Sequence, residues 1–198
     1  MAVAAVIGLS GCADDRQAAS VDTLRTTALA SDELRLFNLD NQRFDLGAAG
    51  PEAVTAFIFV RSDCPISNRY APEIRRLYET FHPRGVALYL VYVDRREQPE
   101  TIRKHLAEFV YPCPALRDDE HTLVAATGVT VTPEAVVLGA DRRIAYRGRI
   151  DDQNMGFGEA RSAPAKRELA DAIEATLEGR PVAAPITRAV GCYIIDLQ

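Results

Sequence analysis

Val54-Thr55-Ala56-Phe57-Ile58-Phe59-Val60 runs directly into Arg61-Ser62-Asp63 and then into Cys64-Pro65-Ile66-Ser67. The first run is almost wholly apolar and rich in aromatic and β-branched residues. It reads as a central strand buried on both faces. Pro65 fits the first turn of a helix, where its missing N–H costs nothing. Cys64 therefore stands at a strand-to-helix junction, at the carboxyl end of a central strand, where ligand and catalytic groups of open α/β sheets gather. A thiol attacks only as thiolate. The unpaired N–H groups and positive dipole end of a helix start favour that charge. The Ser67 hydroxyl, one turn on, is placed to donate to the Cys64 sulfur. A buried, inert cysteine is the plainer reading of Cys64 alone. The conjunction of strand, Cys-Pro and helix favours a reactive one.

Working outward, the pattern alternates between strands and helices. Upstream, residues 34–39 and 43–46 flank Asp40-Asn41, which predicts a hairpin. Downstream, Ile74, Leu77, Tyr78 and Phe81 recur at helical spacing, so one helix is expected over 67–81. A second buried strand follows over 86–93, a helix over 100–109, and a short helix over 121–127 closed by Gly128. Residues 135–138 and 144–146 form a second hairpin. A last helix spans 165–177 and is closed by Gly179. This order predicts an α/β fold: a central mixed β-sheet flanked by helices on both faces, with an N-terminal β-hairpin.

The segment Cys64-Pro65-Ile66-Ser67-Asn68-Arg69-Tyr70-Ala71-Pro72-Glu73 resembles the active-site segment of bacterial redoxin-domain proteins. These belong to the thioredoxin-like superfamily, beside the alkyl hydroperoxide reductase and thiol-specific antioxidant group. Val131-Thr132-Pro133-Glu134 resembles that superfamily's cis-proline loop. Gly148-Arg149-Ile150-Asp151-Asp152 and Gly191-Cys192-Tyr193-Ile194 are similar to segments of the same subgroup. The resemblance covers residues 34–194 and implies a thioredoxin-like fold with Cys64, Ser67, Thr132 and Pro133 at its site. It implies a cis Thr132–Pro133 bond whose loop lies against Cys64 and can pair with an extended peptide. Three departures narrow the chemistry. Ser67 stands where a Cys-x-x-Cys pair has its second thiol. Phe57 and Arg61 stand where peroxiredoxins carry Pro and Thr. Asn68 stands where copper-delivery relatives carry a second Cys.

Two further cysteines bear on how a Cys64 intermediate is resolved. Cys113 lies between Pro112 and Pro114, and Cys192 follows the loose stretch 180–188. Either can serve as resolving thiol, or the two can pair as a structural staple, with Cys64 left as the odd thiol; sequence does not choose. His82, His105 and His121 lack metal-ligand spacing, and neither metal nor cofactor is expected. Asp118-Asp119-Glu120 suits the start of the short helix. Asp151-Asp152 can supply general acid/base groups, but a solvated loop pair is the plainer reading. Arg61 and Arg69 either support the thiolate or face water.

Ala2 to Leu9 is an apolar run ending in Leu9-Ser10-Gly11-Cys12, which resembles the bacterial lipobox. The resemblance implies lipid attachment at Cys12 and a periplasm-facing, lipid-anchored protein of the bacterial envelope. The expected organisation is a signal peptide over 1–12, a flexible tether over 13–33, the redoxin domain over 34–178 and a tail over 179–198. The chain has 198 residues, 47% of them hydrophobic and 26% charged, with net charge −5. That balance suits one globular domain with extensions, and without a basic stripe it argues against nucleic acid. Membrane contact is expected only through the lipid. The expected activity is thiol–disulfide exchange or isomerisation on thiol- or disulfide-bearing proteins. An atypical peroxidase acting on peroxide and a non-catalytic thioredoxin-like binding module are the alternatives.

Overall fold

The computed structural model describes residues 28–49, 54–156 and 159–195. Cys12 and the whole lipobox lie outside the described residues. The packed chain reaches back to Ala28, which bridges Arg143, and Leu29 is buried. Residues 28–33, expected as tether, thus lie against the domain, because Leu29 and Leu34 join a core cluster with Leu46 and Ile144. The strands are β1 (Phe37–Asn38), β2 (Thr55–Val60), β3 (Ala87–Tyr92), β4 (Ala115–Arg117), β5 (Val131–Thr132), β6 (Glu134–Leu138), β7 (Ile144–Gly148), β8 (Asn154–Gly156), β9 (Glu159–Ala160) and β10 (Cys192–Tyr193). The α-helices are α1 (Pro65–Arg69), α2 (Ala71–Phe81), α3 (Pro99–Glu108), α4 (Thr122–Thr127) and α5 (Glu168–Leu177).

Six strands form one mixed sheet in the order β1-β4-β3-β2-β6-β7. β2 pairs parallel with β3 and antiparallel with β6, so it is the central strand that its apolar run predicts. All six of its residues are buried. Ala56, Ile58 and Val60 face one core cluster, and Phe57 and Phe59 the other. Burying each such ring stabilises the fold by about 1.5–3 kcal/mol, against the entropy of ordering it. The first cluster packs α2 (Ile74, Leu77, Phe81), α3 (Ile102) and α5 (Leu169, Ala172, Ile173) on one face of the sheet. The second packs α4 (Leu123, Val124) with the N-terminal leucines on the other. At β7 the register slips, so that Val137 opposes Tyr146 and Leu138 opposes Ile144. The extra residue turns Ile144 and Tyr146 into opposite clusters.

The structure departs from the expected elements at three points. The helix expected over 67–81 breaks at Tyr70 into α1 and α2. Pro72 has no N–H for the next helical bond and its ring opposes the carbonyl four residues back, so a new helix starts at Ala71 with Pro72 in its first turn, where neither matters. The N-terminal hairpin is a tight reversal in which Phe37 bridges Arg43 and the Phe44 N–H donates to the Leu36 carbonyl. Its first arm continues as β1 against β4, while Leu46–Ala49 coils into a 3-10 turn. The last helix begins at Glu168 rather than 165, because the Lys166 carbonyl accepts from the Asp152 N–H at 3.2 Å instead of from a later helical N–H, and Arg167 leaves helical dihedrals (φ −120°, ψ 65°).

Candidate active site

β2 delivers the chain to the loop Arg61–Asp63, which is braced from below. The Ser62 N–H and hydroxyl both donate to the Glu97 carboxylate. Asn68 donates to the Ser62 carbonyl at 3.0 Å. His105 holds Asn68 in turn: its Nε2 lies 2.9 Å from the Asn68 Oδ1, and its Nδ1 lies 2.8 Å from the Tyr92 hydroxyl. The Asn68 oxygen can only accept, so His105 donates from Nε2 and accepts from Tyr92 at Nδ1. Burial holds the His105 pKa below its ordinary value, which suits this neutral tautomer.

Cys64 caps α1 in extended conformation (φ −87°, ψ 109°), and its carbonyl accepts from Asn68 N–H at 3.1 Å. Its side chain is 1% exposed. The Thr132–Pro133 bond is cis, and the fully buried Thr132 offers its carbonyl 3.1 Å from the Cys64 sulfur. On the other side stands Cys192, its sulfur 2.7 Å from that of Cys64. The C-terminal strand β10 makes this meeting possible: it pairs antiparallel with β5, setting Cys192 opposite Thr132.

This setting splits the two thiols electrostatically. Burial alone pushes the Cys64 pKa up. Hydrogen bonds from the Cys192 thiol, the Ser67 hydroxyl and the Ser67 and Cys192 backbone N–H groups outweigh it, so Cys64 titrates below an ordinary thiol. Cys192 moves the opposite way, to about 12, through burial and through the negative charge of its neighbour. The pair thus gives up its first proton readily and its second reluctantly. The Ser67 hydroxyl is buried and has no other hydrogen-bond partner. Ionisation of the sulfur supplies the acceptor this hydroxyl otherwise lacks. Ser67→Ala is therefore expected to raise the Cys64 pKa, and alkylation of Cys64 by iodoacetamide at neutral pH should slow about fivefold. An unchanged pH profile would mean that Ser67 plays no part in thiolate stability.

Of the residues singled out in the sequence, the structure brings Cys64, Ser67, Thr132, Pro133 and Cys192 together. Cys113 stays apart, buried in the first core cluster, with its thiol pushed up to about 12 by burial. All three cysteines of the described residues are free thiols, with Cys192 seated on Cys64 and Cys113 standing apart from both. Arg61 is mostly buried and ion-paired with Asp63 at 2.8 Å and Asp94 at 3.5 Å, whereas Arg69 faces water. Asp151 and Asp152 are not a solvated pair. Asp151 accepts from the Tyr70 hydroxyl at 2.8 Å and Asp152 from two backbone N–H groups, and these bonds repay their burial. Asp118, fully buried, caps α4 by accepting from the Thr122 and Val124 N–H groups. Among the described residues no group of three or more His, Cys, Asp or Glu could hold a metal ion, and no helix is long and apolar enough to cross a membrane.

The comparisons with known proteins agree with this architecture. An uncharacterized conserved protein from Geobacillus kaustophilus superposes with TM-score 0.73 at 25% identity, over 86% of this chain and 92% of that one. A protein of Sinorhizobium meliloti 1021 gives TM-score 0.71 at 20% identity, over 86% and 91%. A thiol:disulfide interchange protein of the thioredoxin family from Chlorobium tepidum TLS gives 0.53 at 14% identity, over 71% and 90%, a likeness of fold. No curated protein matches the chain. The AhpC/TSA family matches residues 28–147, a stretch that carries β2, Cys64 and the cis-proline loop, and the chain belongs to that family.

Proposed function

We propose that the protein is a thiol–disulfide oxidoreductase in which Cys64 attacks and Cys192 resolves. The observation that carries this reading is the apposition of a low-pKa thiol and a high-pKa thiol 2.7 Å apart beside the Thr132 carbonyl. In the reducing direction the Cys64 thiolate attacks one sulfur of a substrate disulfide. That bond breaks, one substrate thiolate leaves, and a mixed disulfide forms at Cys64. The charge that held the Cys192 proton is then gone, so its thiol ionises more readily. Cys192 attacks the Cys64 sulfur, releases the second substrate thiolate, and leaves a Cys64–Cys192 disulfide. The Cys192 proton neutralises a departing thiolate. Two electrons have passed to the substrate, and an external dithiol must restore the pair. The same steps reversed oxidise a substrate dithiol.

The partners on this reading are proteins bearing thiols or disulfides. The thiol:disulfide interchange proteins that share the fold support it. An oxidising compartment suits a cysteine pair of this kind, and lipid attachment at Cys12 would tether the domain in the periplasm. Cys192→Ser supplies the test. Incubated with a protein carrying an accessible disulfide, the variant should accumulate a covalent adduct at Cys64 that dithiothreitol dissolves, while wild type releases its substrate. Absence of any adduct, together with stoichiometric consumption of hydrogen peroxide by wild type, would replace this reading with the peroxidase.

A further inference from the structure

The C-terminal segment lies on the active site as a strap held at two places. At the first, Pro185 and Thr187 bond the backbone of Arg147 at 2.9 and 3.0 Å, and the Thr187 hydroxyl lies 2.6 Å from that of Tyr146. Gly148 permits this approach, since a Cβ there would stand 2.1 Å from the Thr187 hydroxyl oxygen. At the second, β10 pairs with β5 and the Ile194 N–H donates to the Thr130 carbonyl at 3.0 Å. Between the two, residues 188–191 run along an open cavity of about 660 Å³ bordered by Glu134, Arg147 and Arg149. Within the crossing stretch Val190 packs against the first core cluster while Arg188 is exposed, so few side-chain contacts have to break for the second anchor to lift while the first holds.

Each position of the second anchor meets a different demand. Gly191 is buried and passes so close to the cis-proline loop that a Cβ would stand 2.1 Å from the Thr132 carbonyl oxygen. Cys192 meets the Cys64 sulfur. Tyr193 points outward and is 73% exposed, so nothing there selects a side chain. Ile194 is 6% exposed, inserted into the second core cluster near Val93 and His121. β10 contributes only backbone groups to this pairing, including the Cys192 carbonyl that accepts from the Thr132 hydroxyl, so any extended chain meeting these demands can take its place.

We propose that the C-terminal strand is a built-in competitor for the partner's strand, and that the edge at Thr130–Thr132 selects partner cysteines in extended segments of the pattern glycine, cysteine, any residue, aliphatic residue. This deepens the oxidoreductase reading and rests on it. A partner segment displaces β10, sets its cysteine where Cys192 stood, and exchanges with Cys64. When β10 returns it carries Cys192 back to resolve the mixed disulfide. The strap thus both excludes unsuitable segments and completes the reaction.

The test uses the full chain carrying Cys192→Ser, alone and with Gly191→Val, which bars the strap from its seat. The probe is the peptide Ala-Val-Gly-Cys-Tyr-Ile with its cysteine capped as a mixed disulfide with thionitrobenzoate. Attack by the Cys64 thiolate on the peptide sulfur releases the coloured thionitrobenzoate anion. The parent peptide should react about tenfold faster than versions with Gly→Val or Ile→Asp, whereas Tyr→Ala should change the rate less than about twofold. The parent peptide should also react several-fold faster once Gly191→Val has freed the edge. The ranking among peptides can be read in Cys192→Ser alone, so it does not depend on the double variant folding. Equal rates for all four peptides would overturn the proposal. If no peptide reacts while free dithionitrobenzoate still modifies Cys64, the edge proposal falls and the oxidoreductase reading survives. If Cys64 reacts with neither, both fall.

Discussion

Cys64→Ser is expected to abolish disulfide exchange, with insulin reduction in the presence of dithiothreitol falling to the uncatalysed rate, a loss on the order of a thousandfold or more. Cys113→Ala should leave turnover within about twofold of wild type, because removing a group that touches no reacting atom leaves the activated complex intact. The contrast follows from position. Cys64 stands at the start of α1 with donors around its sulfur, whereas Cys113 has burial alone and a thiol pushed up to about 12. A thiol held that high is almost entirely protonated at neutral pH and does not attack. The rates of the two variants, measured beside Cys192→Ser, separate the roles. A Cys113→Ala variant as inactive as Cys64→Ser would make Cys113 the resolving thiol and leave the apposition of Cys192 without a catalytic part.

The central strand and its cysteine were legible because the physics that places them is local. A strand buried on both faces must be continuously apolar, and residues 54–60 are. A Cys-Pro dipeptide after such a strand fits only a few backbone paths, of which a helix start is one. The break at Tyr70 is local too, and Pro72 announced it; the spacing of Ile74, Leu77 and Phe81 is blind to it because those residues lie beyond the break. The seat of Cys192 is a different matter. β10 is two residues long, too short to show a period, and its partner Thr132 lies sixty residues earlier. The loose stretch 180–188 made Cys192 one candidate resolving thiol beside Cys113, and nothing local chose between the two. The buried carboxylates were misread for a related reason. Composition assigns Asp151 and Asp152 to solvent, and only the arrival of the Tyr70 hydroxyl and the Ala165 and Lys166 N–H groups makes their burial tolerable.

Oxidation of the Cys64–Cys192 pair should stabilise the fold and make its stability depend on redox state. The bond would close a loop of 128 residues. The chain-entropy account gives about 4–5 kcal/mol for such a loop, and native disulfides typically contribute about 2–4 kcal/mol. For a chain of this size that corresponds to roughly 5–15 °C in melting temperature. The gap should also vary with pH, with a sign fixed by the reduced thiols. The folded Cys64 pKa lies below its unfolded value of 9.0, so the reduced protein gains stability as pH rises through that interval, and the gap narrows. Cys192, pushed up to about 12 from 9.0, retains its proton when the unfolded chain has lost it. The reduced protein therefore loses stability again above pH 9.0, and the gap widens. Melting curves of diamide-oxidised and dithiothreitol-reduced protein across this range provide the measurement, with Cys192→Ser as the form that cannot close the bond. A Cys192→Ser variant that still gains stability on oxidation would assign the protective disulfide to Cys113, and equal melting temperatures for oxidised and reduced wild type would mean that the strap never locks.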